Sequence, residues 1–528
     1  MTLYRTRRPD IMIGALRSLV AAFFLLTPLI GLLIAGFADA APGLPYPTES
    51  VFDPRIVSLF LRSVVLTAAV SASIMAISIL AARRIWFSLD AKYRFLTLLP
   101  IASIAVPPYL HALAWQDFGQ AVNDWMVTAT GFGIHTPAEM AAFWCLTAAF
   151  LPIGFAFALF GYAHADRDQI VAGRLFGTEA QVFRQIELPM IAPFALAGGL
   201  FVALMTLADH GVPSAFGIRS YALEIFAVQN QTANPLATLI LAAPIVLLSL
   251  GLVILLALRM SRLAIIPNLI PDPGPRPVTR HLPLRIAENS SVLLLSSSIL
   301  VLFVTSLIRP ILTGSFSKVL PGVWESVAAT GTVAATAGVF ALIAGLSVPA
   351  TAKRPLLLIA ACIPLAIPPV ALGGGLIVFW NRAAFDPVFD SLLLPALGCA
   401  ARFAPIAVLI VGIYRSTIAV ELIDAARLYR SGPLADWLRI RLPLASGGLV
   451  AAILVVAAFS ASELPLTLLT IPPGDQTLVV RAFTLLHYGA RDQVDGLSAL
   501  LILITTLPIL FAVTLLRFIH PARRKAHS

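Results

Sequence analysis

About twelve apolar runs, each near the roughly 20 residues that cross a bilayer as a helix, limit what this chain can fold into. They fall at roughly 15–38, 58–82, 94–114, 138–160, 190–208, 236–258, 291–312, 327–350, 356–378, 391–412, 444–462 and 495–517. Backbone groups in hydrocarbon must pair within their own segment, so runs of this length become helices. They far exceed the roughly ten-residue alternating strands of a membrane barrel. Composition agrees: 59% of residues are hydrophobic and 12% charged, against roughly a quarter charged in soluble domains. The expected fold class is an all-α membrane protein of about twelve transmembrane helices, with the lipid bilayer as solvent.

A net charge of +10 would suit nucleic acid, but its distribution follows topology instead. With the amino terminus cytoplasmic, about 27 of the 36 Lys and Arg lie on the cytoplasmic side and about 8 outside, while Arg402 lies deep within a run. Both termini are then cytoplasmic, marked by Arg5, Arg7 and Arg8 and by Arg523, Arg524 and Lys525. Arginines ahead of the first run and Ala38-Asp39-Ala40 resemble a signal peptide, yet the run is long for one. Cys145, Cys362 and Cys399 all sit in apolar runs without paired spacing and read as packing residues.

The proline-rich stretch PNLIPDPGPRPVTRHLP divides the chain. The expected organisation is a first transmembrane domain at 1–258, a cytoplasmic linker at 259–290 and a second transmembrane domain at 291–528. The halves repeat at an offset of roughly 254 residues. Pro189 matches Pro443, Asp209 matches Glu463, and Val106-Pro107-Pro108 matches Ile367-Pro368-Pro369. With about six spans each, the halves have the same orientation, a parallel repeat.

Two polar segments interrupt the apolar pattern at equivalent places: VAGRLFGTEAQVFRQIELP, from Val171, and DAARLYRSGPLADWLRIRLP, from Asp424. Each reads as two short helices joined by a break, since Ser431-Gly432-Pro433 ends one helix and Leu434 restarts another. The second resembles the cytoplasmic loop of ATP-binding-cassette (ABC) importer permeases, whose pattern is Glu-Ala-Ala, three residues, Gly, nine residues, Ile, any residue, Leu-Pro. Asp424, Ala425, Ala426, Ile440, Leu442 and Pro443 fall on that pattern; Asp424 replaces Glu and Arg430 takes the Gly place. In the first, Ala172, Gly177, Leu188 and Pro189 fit, while Val171 and Gly173 depart and one residue is missing before Ile186.

The resemblance implies a type I ABC importer fold with coupling loops at 162–189 and 413–443, each seated on one of two cytosolic ABC ATPase subunits. The contact is then made or shaped by Arg174, Gly177, Phe183, Leu188 and Pro189, and by Asp424, Ala425, Ala426, Arg427, Arg430, Trp437, Leu442 and Pro443. A periplasmic solute-binding protein, the bacterial inner membrane and ATP/Mg bound by the partner ATPase are implied with it. LADHGVPSAFG, ARFAPIAVLIVGIYRS and SELPLTLLT look like the fused ferric-iron (Fe3+) permeases, with thiamine permeases as close cousins. Polyamine or phosphonate substrates follow.

No lysine follows a glycine, so the chain has no phosphate-cradling P-loop, and no cofactor is expected in it. It is not expected to be an enzyme, having no H-E-x-x-H and no nucleophile elbow. Arg402 inside a span is expensive unless paired or wet, and reads either as a gate or as an arginine bound to carbonyls of the Ile367-Pro368-Pro369 helix. Asp209, His210 and Glu463 at span ends could touch a cation in passing, or simply solvate or dock the delivering protein. His111 beside Pro107-Pro108 faces a pathway or packs. No resident metal site is implied. The rival is a proton-driven twelve-helix transporter of the major facilitator type, which has no reason to elaborate the loops and would need more ionisable residues in its spans.

Overall fold

The computed structural model describes residues 23, 26–35, 51–88, 91–232, 235–262, 281–348, 355–416, 442–488 and 491–519. Among them there is no strand. The chain is an all-α, multi-pass membrane protein. Among the described residues, nine helices are long and apolar enough to cross a membrane, or eleven if two bent pairs count as one span each.

The first half comprises α1 (Leu26–Ala35), α2 (Pro54–Trp86), α3 (Ala91–Ala102), α4 (Pro108–Thr130), α5 (Ala138–His164), α6 (Arg167–Phe176), α7 (Glu179–Val182), α8 (Leu188–Ala208), α9 (Gly211–Ala215), α10 (Tyr221–Thr232) and α11 (Pro235–Arg262). The second comprises α12 (Leu282–Phe303), α13 (Arg309–Leu312), α14 (Ser315–Val319), α15 (Trp324–Ser347), α16 (Pro355–Ala366), α17 (Pro369–Trp380), α18 (Asp386–Phe389), α19 (Leu393–Ser416), α20 (Leu442–Ala461), α21 (Pro465–Thr470), α22 (Leu478–His487) and α23 (Arg491–Ile519). The expected spans 94–114 and 356–378 are not straight crossings. They break at Pro107-Pro108 and Pro368-Pro369, with bends of 116° and 103°. The cause is local: a proline forces its predecessor out of the α region. Val106 (ψ 130°), Pro107 (ψ 135°) and Pro368 (ψ 137°) are accordingly extended. The helices flanking the expected linker also reach further than apolarity alone suggests, so Glu288 lies inside α12.

The elements recur in order. α2, α5 and α8 pack as a three-helix core in one half, and α15, α19 and α20 do so in the other. Of the apolar stretch of α8 and of α19, 78% is buried, against 33% in α2 and α11. A helix that is apolar on every face is one the molecule can bury. The outer helices are exchanged. α12 lies on α2 and α11 on α16 and α17, while α23 packs on α20 and α14 of its own half and only its flank touches α3. α1 meets α17, with Phe23 edge-on to Phe379 and Trp380. The crossing is tight enough that a Cβ on Gly31 would stand 1.8 Å from the Gly375 carbonyl oxygen, which accounts for two of the small residues there.

Candidate functional site

A cavity of about 90 Å³ lies where the two proline breaks meet. Its wall takes Pro107 and Pro108 from one half, Pro369 from the other, and Asp209, His210, Arg402 and Glu463. The structure therefore gathers four of the five residues singled out for a pathway. His111 is fully buried in α4, and neither ring nitrogen has a hydrogen-bond partner among the described residues. It does not line the cavity wall.

The two acids do the same local work. Asp209 accepts the Val212 N–H at 3.0 Å and Glu463 the Leu466 N–H at 3.5 Å, so each caps the short helix that follows. Burial raises the Asp209 carboxyl to about 6, with that N–H and Arg402 opposing it. His210, lowered to about 4 by burial, is neutral and stacks on Phe226 at 4.8 Å. Arg402 pairs with Glu463 at 3.3 Å, both side chains almost wholly buried. Its Nε and Nη1 make no well-directed hydrogen bond, and its guanidinium lies 5.7 Å from the Phe403 ring centre. Neither Nε nor Nη1 uses a backbone carbonyl, and Arg402 stands in the cavity wall. Asp209 and Glu463 stand at equivalent positions 254 residues apart, but Ala148 occupies the place equivalent to Arg402. The single cation breaks the twofold pattern. No group of three or more His, Cys, Asp or Glu able to hold a metal ion occurs among the described residues.

The segment between α5 and α8 forms a helical hairpin. Asp166 caps α6, Thr178 and Gln181 form a capping box on α7, and a π turn at Phe183–Glu187 leads into α8. Gly177 sits at the break with extended backbone. At the tip Leu175 is 76% and Phe176 92% exposed. Arg174 turns inward. It pairs with Glu187 at 3.3 Å, and its guanidinium covers Phe87 at 4.9 Å. Burial holds it below the ordinary arginine range, with Glu187 opposing. Phe183 packs under the guanidinium of Arg83 at 5.3 Å, and Leu188 and Pro189 begin α8.

Of the second segment, Asp424, Ala425, Ala426, Arg427, Arg430 and Trp437 lie outside the described residues, as do both chain termini and 263–280 of the linker. Leu442 and Pro443 start α20, as Leu188 and Pro189 start α8.

Sequence reasoning missed the buried ion cluster beneath the first hairpin. Arg83 donates to Glu187 at 2.5 and 3.1 Å, to Glu179 at 3.2 Å and to Glu288. Its partners are 96 to 205 residues away in the chain. Leu175-Phe176, an apolar pair in a polar loop, did carry a signal. At the opposite end, Asp117 of α4 pairs with Arg309 (2.8 Å) and Arg491, and Asp495 pairs with the same two arginines. No protein-family model matches the chain, and no curated protein matches it.

Proposed function

We propose that this chain is the permease of a bacterial binding-protein-dependent importer in which both transmembrane domains are fused, with twelve spans and both termini in the cytoplasm. Energy enters from two cytosolic ABC ATPase subunits, one at each polar segment. Substrate arrives from a periplasmic binding protein and passes between the halves. The observation that carries this reading is the first hairpin. Its tip stands out from the bundle and offers Leu175 and Phe176 to solvent, and it continues without a gap into the core helix α8. An exposed apolar pair on a rigid support is suited to a partner's groove, and continuity with α8 lets the partner's closure rock the bundle. A facilitator-type transporter has no use for such an element.

The test is capture from native membranes. The intact chain should bring down an ATPase, and Phe176→Asp should weaken capture by roughly tenfold or more. Full transport after both polar segments are replaced by Gly/Ser would refute the reading.

Ferric iron is the substrate that the resemblance of LADHGVPSAFG and SELPLTLLT favours. One observation favours a second reading. Arg402 in the cavity wall is a poor neighbour for a bare trivalent cation, whereas a guanidinium suits a phosphonate or other anionic organic group. Titrating the cognate binding protein with ferric ion, thiamine, polyamines and phosphonates separates these readings.

A further inference from the structure

We propose that Arg83 is a positioning residue that ties the first hairpin to the second half of the molecule, so that a push on this one hairpin reaches both halves. The proposal rests on reading the hairpin as the ATPase contact.

Three separate elements converge on one guanidinium. Arg83 comes from the last turn of α2, Glu179 and Glu187 from the hairpin, and Glu288 from α12 of the other half. Nε and Nη2 grip the two oxygens of Glu187 side-on, Nη2 also reaches Glu179, and Nη1 reaches Glu288. Phe183 and Phe87 lie within 5.3 and 5.8 Å of it. The π turn puts Phe183 and Glu187, four residues apart, on the same guanidinium; such turns recur where a helix must aim particular side chains. Arg83, Glu187 and Glu288 are almost wholly buried. A dry, fully engaged arginine holds its partners in one arrangement and transmits displacement instead of absorbing it.

The charge count explains why the tie fails as a unit. Three carboxylates share Arg83 and Arg174. Without Arg83, the buried acids Glu187 and Glu288 keep only Arg174 beside the first and Arg84 near the second, and must separate or take up protons. Glu288 has a different consequence: it is the only acid of the set outside the hairpin, so its loss uncouples α12 from the guanidinium while α12 stays packed on α2 and the hairpin stays joined to α2.

The sequence does not repeat the acid at the centre of the tie. Glu187 corresponds to Arg441 at the 254-residue offset, whereas Arg174, ahead of the missing residue, corresponds to Arg427. Arg83 corresponds to Ala344 at the 261-residue offset of the proline breaks. The second segment thus carries a cation, Arg441, where the first carries the acid that Arg83 grips, so the two segments are unlike in sequence at that point.

The experiment uses the full chain reconstituted with its ATPase, comparing Glu288→Gln, Arg83→Lys and Arg83→Met. ATPase capture, ATP turnover and uptake are each measured. Glu288→Gln should keep capture within about twofold yet cut uptake per ATP hydrolysed by roughly tenfold or more, and Arg83→Lys should fall between it and the wild type. In parallel, spin labels at Gln185→Cys and Leu282→Cys report the hairpin-to-α12 distance without any ATPase, the native cysteines being buried. Glu288→Gln should broaden that distribution. An unchanged distribution, or wild-type uptake per ATP in Glu288→Gln, overturns the proposal even if Arg83→Met fails to accumulate. A broadened distribution with no ATPase captured by the wild type leaves the tie intact and removes the functional reading instead.

Discussion

Arg402 and Glu463 can be separated experimentally from the rest of the cavity. Removing one member of a buried ion pair leaves an uncompensated charge that costs roughly 3–5 kcal/mol. Arg402→Ala should therefore lower the thermal midpoint in detergent sharply, and Arg402→Leu with Glu463→Leu should recover most of it. If the single and double variants melt alike, the pair is not what holds Arg402. Asp209 gives a pH signature. Its folded-state affinity for a proton exceeds that of the unfolded chain, so its contribution to stability is fullest below about pH 4 and is lost as pH rises towards 6. Asp209→Asn should flatten that limb of the stability curve between pH 4 and 6, with little loss at neutral pH. At this scale the sequence was informative where a residue is expensive by itself: a charge inside an apolar run, or an acid at a span end. It was silent on Arg83, Glu187 and Glu288, because Arg83 in a loop-flanking position reads as topology and only the fold brings its acids within reach.

Helices were legible as elements, and their breaks were not. Single prolines inside α5, α8, α11, α19 and α23 are absorbed without interrupting the helix. Two in a row are different, because the second forbids helical backbone at the first. The doublets were visible as a repeat, but a count of apolar residues cannot register a turn of more than 100°. Contact between α1 and α17 supplies an element-level test. Gly31→Leu should destabilise the protein strongly, since its Cβ would overlap the Gly375 backbone, whereas Gly119→Leu on α4 meets nothing within 4 Å and should be neutral. Equal melting temperatures for the two variants would contradict the crossing.

Across the whole molecule the halves are joined by unlike fastenings. At the hairpin end the link through Arg83 is dry. At the opposite end Asp117, Asp495, Arg309 and Arg491 form a partly exposed set, which salt screens and whose pairs are worth under about 1 kcal/mol each. Asp117→Asn should thus shift stability only slightly, and less still in 1 M salt. A repeat and its offset could be read from prolines and polar segments, but nothing in a one-dimensional pattern reveals that α1, α11 and α12 lie against the other half.

That exchange bears on ancestry and assembly. With α1 and α11 lodged against the later half, and α12 against the earlier one, neither portion is a finished barrel of helices on its own. Polypeptides 1–262 and 281–528 made as separate chains should find each other and migrate as one particle, and neither should survive extraction alone. The covalent bridge would then be a convenience of synthesis, laid over a partnership that the interlocked ends already enforce.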